Sequence, residues 1–206
     1  MNSTSAAATP AGARSMLTLL VVRSGLTEYE RQGRIQGTLD VPLCEDGRLQ
    51  AERTAGELQD AAASISGLYA SDCKCAQQTA EIIGERLNLK PKLLSKLANL
   101  DQGLWQGMLV SEVKDKQPRV FRKWQDEPTA VCPPEGETLK AAKTRIEKAI
   151  AKIKKKHKVG AVVLVLPDPL AAVAAGMLAD EQICDLWQPC TNGHSLWRAV
   201  QVPTDS

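Results

Sequence analysis

The chain has 206 residues, and its 26 basic and 24 acidic residues give a formal net charge of +2 at neutral pH. This balance, together with an aromatic content of 3%, disfavours a nucleic-acid-binding protein, which needs a basic face or a surface for base stacking. The longest early apolar run, 16–22, is far shorter than the roughly 20 residues of a membrane span. We therefore expect a cytoplasmic protein without a nucleic-acid or membrane partner.

The small, polar residues at the start of the chain predict a flexible tail over 1–15, followed by a single domain over 16–206. The six cysteines contain no C-x-x-C pair, and both histidines stand apart from most of them. This spacing predicts no metal site, and we expect no cofactor. A chain of this length with a good core does not need disulfides, so reduced thiols are the favoured interpretation.

Apolar runs and apolar residues at helical spacing alternate along the chain. They predict strands over 17–22, 67–70, 162–166 and 195–202, and helices from near 45 to 62, around 76–87, and over about 137–156 and 170–179. The stretch 101–134 lacks a clear period and is interpreted as an irregular insertion that caps the sheet edge. The alternation predicts an α/β fold, a three-layer sandwich with a mostly parallel sheet flanked by helices on both faces.

In such a sheet, ligands bind beyond the carboxyl ends of the strands. The segments directly after Val22, Ala70 and Leu166 are therefore where a functional site is expected. Several short motifs lie in or near these segments and elsewhere in a fixed order. They are Arg23-Ser-Gly-Leu-Thr27, Gly33-Arg-Ile-Gln-Gly37, Asp40-Val-Pro-Leu43, Asp46-Gly47 with Gln50-Ala51, Tyr69-Ala-Ser-Asp72 leading to Gln78-Thr-Ala80, Gly103-Leu-Trp-Gln-Gly107 and Pro134-Glu-Gly-Glu137.

In this order and spacing, the motifs resemble the histidine phosphatase superfamily in its phosphoglycerate-mutase-like branch. The resemblance spans roughly residues 17–200. It implies an Arg-His-Gly turn whose histidine attacks phosphorus, a second histidine after a late strand, arginines around the phosphate and a carboxylic acid that protonates the leaving oxygen. Cationic groups stabilise a transferring phosphoryl group, and an imidazole nucleophile divides the displacement into two easier steps.

The chain departs from this implied set at each reactive position. Where the resemblance implies the nucleophilic histidine, the second basic residue, the proton donor and the late histidine, the chain has Ser24, Cys75, Asn99 and Asp168. Glu30 stands where the branch often has an asparagine. The implied pocket thus loses cations and gains carboxylates, which weakens phosphate affinity. We expect no working catalytic residue at these positions.

The residues retained from the motifs are Arg23, Gly25, Thr27 and Arg34, and they are candidates for binding an anion or a phosphorylated ligand. Pairing of both arginines with the new carboxylates is an equally favoured alternative. Asp168 precedes Pro169 at a strand-to-helix junction and is interpreted as an N-cap that accepts the amide of Leu170 or Ala171.

Three hypotheses follow. The first is a pseudoenzyme that keeps the fold for binding a ligand or a protein. The second is a divergent phosphomonoester phosphatase or mutase-like enzyme that uses Asp168 or Ser24, and it requires Asp168 to project into the cleft beside Arg23. The third is a pure interaction protein, for example a homodimer.

Overall fold

The computed structural model describes residues 15–61, 64–181 and 196–204. The elements of these residues, in chain order, are β1 (Met16–Arg23), α1 (Glu28–Arg31), α2 (Glu45–Ala61), β2 (Ile65–Ala70), α3 (Lys74–Leu87), β3 (Lys92–Leu93), α4 (Val110–Lys116), α5 (Pro118–Asp126), α6 (Leu139–Lys156), β4 (Gly160–Leu166), α7 (Leu170–Ala179) and β5 (Trp197–Pro203). Within these ranges, no helix has both the length and the apolarity that crossing a bilayer requires.

The strands form one sheet in the order β3-β2-β4-β1-β5. β1 and β2 both pair in parallel with the central β4, and β3 pairs in parallel with β2. β5 is the exception, because it runs antiparallel to β1 at the edge of the sheet. The predicted α/β sandwich with a mostly parallel sheet is confirmed.

Side chains on opposite faces of the sheet build two separate apolar clusters. On one face, Leu17, Leu19 and Val21 of β1 pack with residues of α6 and α7. On the other face, Leu20 and Val22 pack with residues of α2 and α3. This division follows from the period of two in a strand, which sends alternate side chains to opposite faces. Helices on both faces cover the two clusters and complete the three layers.

The predicted elements match the structure closely, with differences at their ends and in the insertion. The region 101–134 was predicted to be irregular, but it contains the helices α4 and α5. They are short, and their apolar contacts come from distant residues: Trp124 of α5 stacks against Trp105 with ring centroids 4.9 Å apart. The strand predicted to end before Pro203 includes that residue, and the short β3 was not predicted at all.

The first and last described residues, Ser15 and Thr204, meet at the edge of the sheet. Ser15 is the one residue of the predicted tail that the structure describes, and its carbonyl accepts hydrogen bonds from both the amide and the hydroxyl of Thr204, each at 2.9 Å. Residues 1–14, Ala62 and Ser195, on which other sequence predictions fall, lie outside the described residues.

Candidate functional site

The cleft is built where three neighbouring strands end. Arg23 is the last residue of β1, Asp168 follows β4 after one proline, and Cys75 lies just inside α3, shortly after β2. Because β1, β4 and β2 are adjacent and parallel, their carboxyl ends lie at the same edge of the sheet. The candidate residues that the sequence placed after these three strands therefore lie close together in the structure.

Arg23 lies between two carboxylates. Its Nη2 is 3.1 Å from Oε1 of Glu30, and its Nε is 2.9 Å from Oδ2 of Asp168, while the Arg23 side chain is only 10% exposed. Pairing of Arg23 with the new carboxylates, one of the two alternatives from the sequence, is confirmed. An anion entering the cleft would have to compete with both carboxylates for the guanidinium.

The predicted N-cap role of Asp168 is wrong. α7 begins at Leu170, Pro169 occupies the cap position, and no side chain caps the helix. The Asp168–Pro169 peptide bond is cis. The carboxylate instead lies beside Arg23 and forms an ion pair with its buried guanidinium.

The surroundings of Asp168 change its acidity. Burial raises the pKa of its carboxyl from 3.8 to about 6; Glu30 adds to the rise, and Arg23 opposes it. The ionised form is thus disfavoured despite the ion pair, since a carboxylate loses more hydration on burial than one shared guanidinium restores. At neutral pH the three side chains together carry one net negative charge.

Glu30 is held in place by the first turn of α1. The amide of Thr27 donates to Oε2 of Glu30 at 2.8 Å, and the Thr27 hydroxyl accepts the amide of Glu30 at 3.2 Å, which together form a capping box. Oε1 of Glu30 is left to contact Arg23. Thr27, predicted to bind an anion, is therefore engaged in positioning Glu30.

Ser24 is enclosed at the base of the cleft. It is 1% exposed, and its amide donates to the carbonyl of Leu166 at 2.7 Å. The equally buried Cys75 accepts a hydrogen bond from Nε2 of Gln36 at 3.5 Å. The pKa of the Cys75 thiol is raised, first because the thiol donates to Cys73 and second because of burial, while Ser24 and Gln36 act weakly in the opposite direction.

Asn99 is committed to backbone contacts. Its Nδ2 donates to the carbonyls of Gly37 at 2.9 Å and Asp168 at 2.8 Å, and its Oδ1 accepts the amide of Leu100 at 2.9 Å. An amide has no acidic proton to give to a leaving oxygen. The side chain instead fastens the segment around Gly37 to the segment that carries Asp168.

The other two retained residues differ in their surroundings. Arg34 donates to the carbonyl of Gly107 at 2.8 Å and to Oε1 of Gln32 at 3.0 Å, so the alternative of pairing with a carboxylate is wrong for this arginine. Gly25 lies against α2, where an added Cβ would overlap the carbonyl of Gly47. The absent side chain is what allows this close approach, and it supports the shape of the turn.

The one histidine that the described residues contain lies at the opposite end of the sheet. His157 caps the end of α6, with its ring nitrogens 3.0 Å from the hydroxyls of Ser66 and Tyr69. Gly160, where β4 begins, follows closely in the chain, whereas the cleft lies where β4 ends. His194 lies outside the described residues.

Two residues at the cleft were not among the predicted site residues. The sequence analysis gives Glu30 as a departure and as a possible ion-pair partner of the arginines, but not as a site residue. The pattern Thr27-x-x-Glu30 is a capping-box signature and was a signal that could have placed it. Gln36 belongs to the motif Gly33-Arg-Ile-Gln-Gly37, but the motif does not reveal its partners. Its Oε1 accepts the Thr27 hydroxyl at 2.9 Å and its Nε2 donates to Cys75, and these residues are distant in the chain.

Comparison with known proteins agrees with the fold and the motifs. The model of the histidine phosphatase superfamily, branch 1, matches residues 19–194. Phosphoserine phosphatase 1 of Hydrogenobacter thermophilus is 36% identical over 150 residues, which are 73% of this chain and 70% of that protein. Phosphoglycerate mutase-like protein 4 of Arabidopsis thaliana is 34% identical over 149 residues, 71% of this chain and 64% of that protein.

Solved structures give the same result. The chain superposes on the native structure of a mycobacterial glucosyl-3-phosphoglycerate phosphatase with a TM-score of 0.76 and 25% identity, covering 92% of this chain and 91% of that one. A structure described as mycobacterial hydrolase 1 matches with a TM-score of 0.77 and 25% identity over 92% of both chains. Motifs, topology and family match together lead to one conclusion: the chain belongs to branch 1 of the histidine phosphatase superfamily.

Proposed function

We propose that this chain is a non-catalytic member of its superfamily, a pseudoenzyme whose cleft binds a ligand or a protein instead of transferring a phosphoryl group. The observation that carries the proposal is the internal neutralisation of Arg23. Its guanidinium, the group retained for phosphate, already contacts the carboxylates of Glu30 and Asp168. A phosphate dianion brought to this cluster meets one cation and two anions at neutral pH, and their repulsion is strong in a poorly hydrated cleft.

The remaining positions support the same proposal. Ser24, where the family resemblance implies a nucleophilic imidazole, is a buried hydroxyl, and a serine nucleophile needs a neighbouring base. Asn99 stands at the implied position of the proton donor, and its side-chain amide donates hydrogen bonds to two backbone carbonyls. Cys75, at the implied position of a second cation, has a raised pKa and is therefore a neutral thiol at physiological pH.

A second candidate function is hydrolysis of a phosphomonoester. Two of the relatives that the comparisons found carry phosphatase names, a phosphoserine phosphatase and a glucosyl-3-phosphoglycerate phosphatase. The position of Asp168 supports this alternative, because its carboxylate lies 2.9 Å from Arg23, the retained cation. With a pKa of about 6, its carboxyl is a reasonable proton donor near neutral pH.

An activity measurement separates the two functions. Purified protein is incubated with phosphoserine, glucosyl-3-phosphoglycerate and a generic aryl phosphate between pH 5 and 8, and phosphate release is followed. The pseudoenzyme predicts no release above a protein-free blank, with no change in Arg23→Ala or Asp168→Asn. Turnover that falls at least roughly 100-fold in both variants, as expected for loss of a general acid or a phosphate-binding cation, would establish the phosphatase instead.

A binding measurement tests the physical basis of the proposal. Replacing both carboxylates, in Glu30→Gln with Asp168→Asn, converts the net charge of the three side chains from negative to positive. Inorganic phosphate should then raise the unfolding temperature of the double variant, since a ligand that binds only the folded state stabilises it. The wild type at pH 8 should show no such rise. An equal rise in both proteins would mean that the carboxylates do not block the cleft.

A further inference from the structure

Two cysteines at the start of α3 lie within contact distance of each other. Cys73 ends the turn that follows β2 and is the N-cap residue of α3, and Cys75 lies in its first turn. Their Sγ atoms are 3.6 Å apart. Cys73 is partly exposed, whereas Cys75 is buried beneath it with 1% exposure. Cys73 is thus the more accessible of the two cysteines, and the buried Cys75 lies in contact with it.

The surroundings of Cys73 favour its thiolate. The pKa of Cys73 falls to about 7, chiefly through its contact with the Cys75 thiol; the neighbouring Ser71 side chain and Ala76 backbone lower it further, although burial opposes the shift. The ordinary pKa of a cysteine is about 8.5. Its position at the start of a helix places it at the positive end of the helix dipole, which favours a thiolate. The pKa of Cys75 is raised, so this thiol keeps its proton.

We propose that Cys73 and Cys75 form a redox-active dithiol, in which Cys73 is the attacking sulfur and Cys75 the resolving sulfur. The argument rests on the 3.6 Å contact between the two sulfurs, on the unequal exposure of the two residues and on the position of Cys73 at the start of α3. It does not depend on whether the cleft hydrolyses phosphomonoesters. The co-reactant is a small-molecule disulfide such as oxidised glutathione.

The reaction is a pair of thiol–disulfide exchanges. The Cys73 thiolate attacks one sulfur of the small disulfide, forms a mixed disulfide and releases one small thiolate. The released small thiolate then takes the proton of the Cys75 thiol, and the Cys75 sulfur attacks the Cys73 sulfur and expels the second small thiolate, which takes a proton from water. The two cysteines lose two electrons in total, and the small disulfide gains them as two thiols. Closure brings the sulfurs from 3.6 Å to about 2.05 Å.

Oxidation of the two cysteines would also change the hydrogen bonds of the cleft. The Cys75 sulfur accepts from Gln36, and Gln36 in turn accepts from the Thr27 hydroxyl, whose residue positions Glu30. When Cys75 turns toward Cys73, Gln36 loses its sulfur acceptor. The redox state of the dithiol is therefore connected by contiguous hydrogen bonds to the loop that carries Glu30.

Peptide mapping of the full chain tests the proposal directly. Lys74 separates the two cysteines, so trypsin places Cys73 in the peptide 54–74 and Cys75 in the peptide 75–86. After treatment with oxidised glutathione, removal of the excess and blocking of free thiols, these two peptides should appear joined by a disulfide. Dithiothreitol should separate them. Wild-type protein that keeps glutathione on Cys73, with Cys75 free, would overturn the assignment.

Three variants complete the experiment. Cys75→Ser should accumulate the mixed disulfide at Cys73, because no resolving sulfur remains. Cys73→Ser should lose the linkage, and modification of the buried Cys75 should slow at least roughly 10-fold. Cys132→Ser, which removes an exposed thiol away from α3, should leave the linkage unchanged.

The rate of alkylation of Cys73 in the wild type should rise with pH around a midpoint near 7. A midpoint at 8.5 or above would contradict the role given to its thiolate.

Discussion

At the scale of single residues, the cleft depends on how Asp168 is used. The sequence around Asp168 is compatible with either an N-cap or an ion pair, and the two roles place the carboxylate in different charge environments. Here the carboxylate lies beside both a cation and another anion, Arg23 and Glu30, and burial makes its ionisation costly. This arrangement predicts a measurable dependence of folding stability on pH.

Replacing Asp168 with asparagine removes this cost. The folded-state pKa of about 6 lies above the ordinary 3.8, so the folded protein holds the proton more tightly than the unfolded chain. The wild type therefore loses stability relative to Asp168→Asn as pH rises from about 4 to about 6, by roughly 1–3 kcal/mol. Urea unfolding of both proteins at pH 4 and pH 7.5 measures the change.

Asp115→Asn is the control, because it removes an exposed carboxylate on α4 that forms no ion pair within the described residues. A stability difference between wild type and Asp168→Asn that stays constant from pH 4 to pH 7.5 would show that the carboxyl titrates as it does in the unfolded chain.

At the scale of elements, the turn after β1 is shaped by its contact with α2. Gly25 and Gly47 touch across this contact, and an added Cβ at Gly47 would overlap the backbone of Leu26. The amide of Gly25 also donates to the Thr79 hydroxyl of α3 at 3.0 Å. The turn that presents Arg23 and Ser24 is thus fixed by two helices at once.

Gly47→Ala should therefore destabilise the protein by about 1–3 kcal/mol, because a new methyl group must displace backbone atoms. Gly56→Ala is a matched control in the same helix, since nothing lies within 4 Å of its added Cβ. There alanine should stabilise by about 0.5–1 kcal/mol, owing to its better helix propensity. Thermal or urea unfolding of the two variants gives the comparison, and changes of the same sign would refute the contact argument.

At the scale of the whole molecule, one sheet separates two apolar layers and connects them. β1 supplies Leu19 to one layer and Leu20 to the other, and both side chains are almost fully buried. Because each central strand belongs to both layers, neither layer can open without disrupting strands that the other layer needs. The domain should therefore unfold as one cooperative unit.

Ile83→Ala tests this coupling. Ile83 is fully buried in α3, and its truncation should cost about 2–5 kcal/mol. The slowest-exchanging amides of α6, on the opposite face of the sheet, should lose protection by the same free energy. Hydrogen exchange measured by mass spectrometry gives the protection of amides in both α3 and α6. Loss of protection in α3 alone, with α6 unaffected, would show that the layers unfold separately.

The sequence by itself determined the fold class, most helices and strands, the edge of the sheet where the cleft lies and the family. These rest on hydrophobic periodicity and on motifs whose residues are close in the chain, so local patterns report them. Only the tertiary structure decided that Asp168 pairs with Arg23 instead of capping α7, that Glu30 joins them, and that Gln36 contacts Cys75. Such partners come from separate strands and loops, and their energies depend on burial and charge that appear only when those segments pack together.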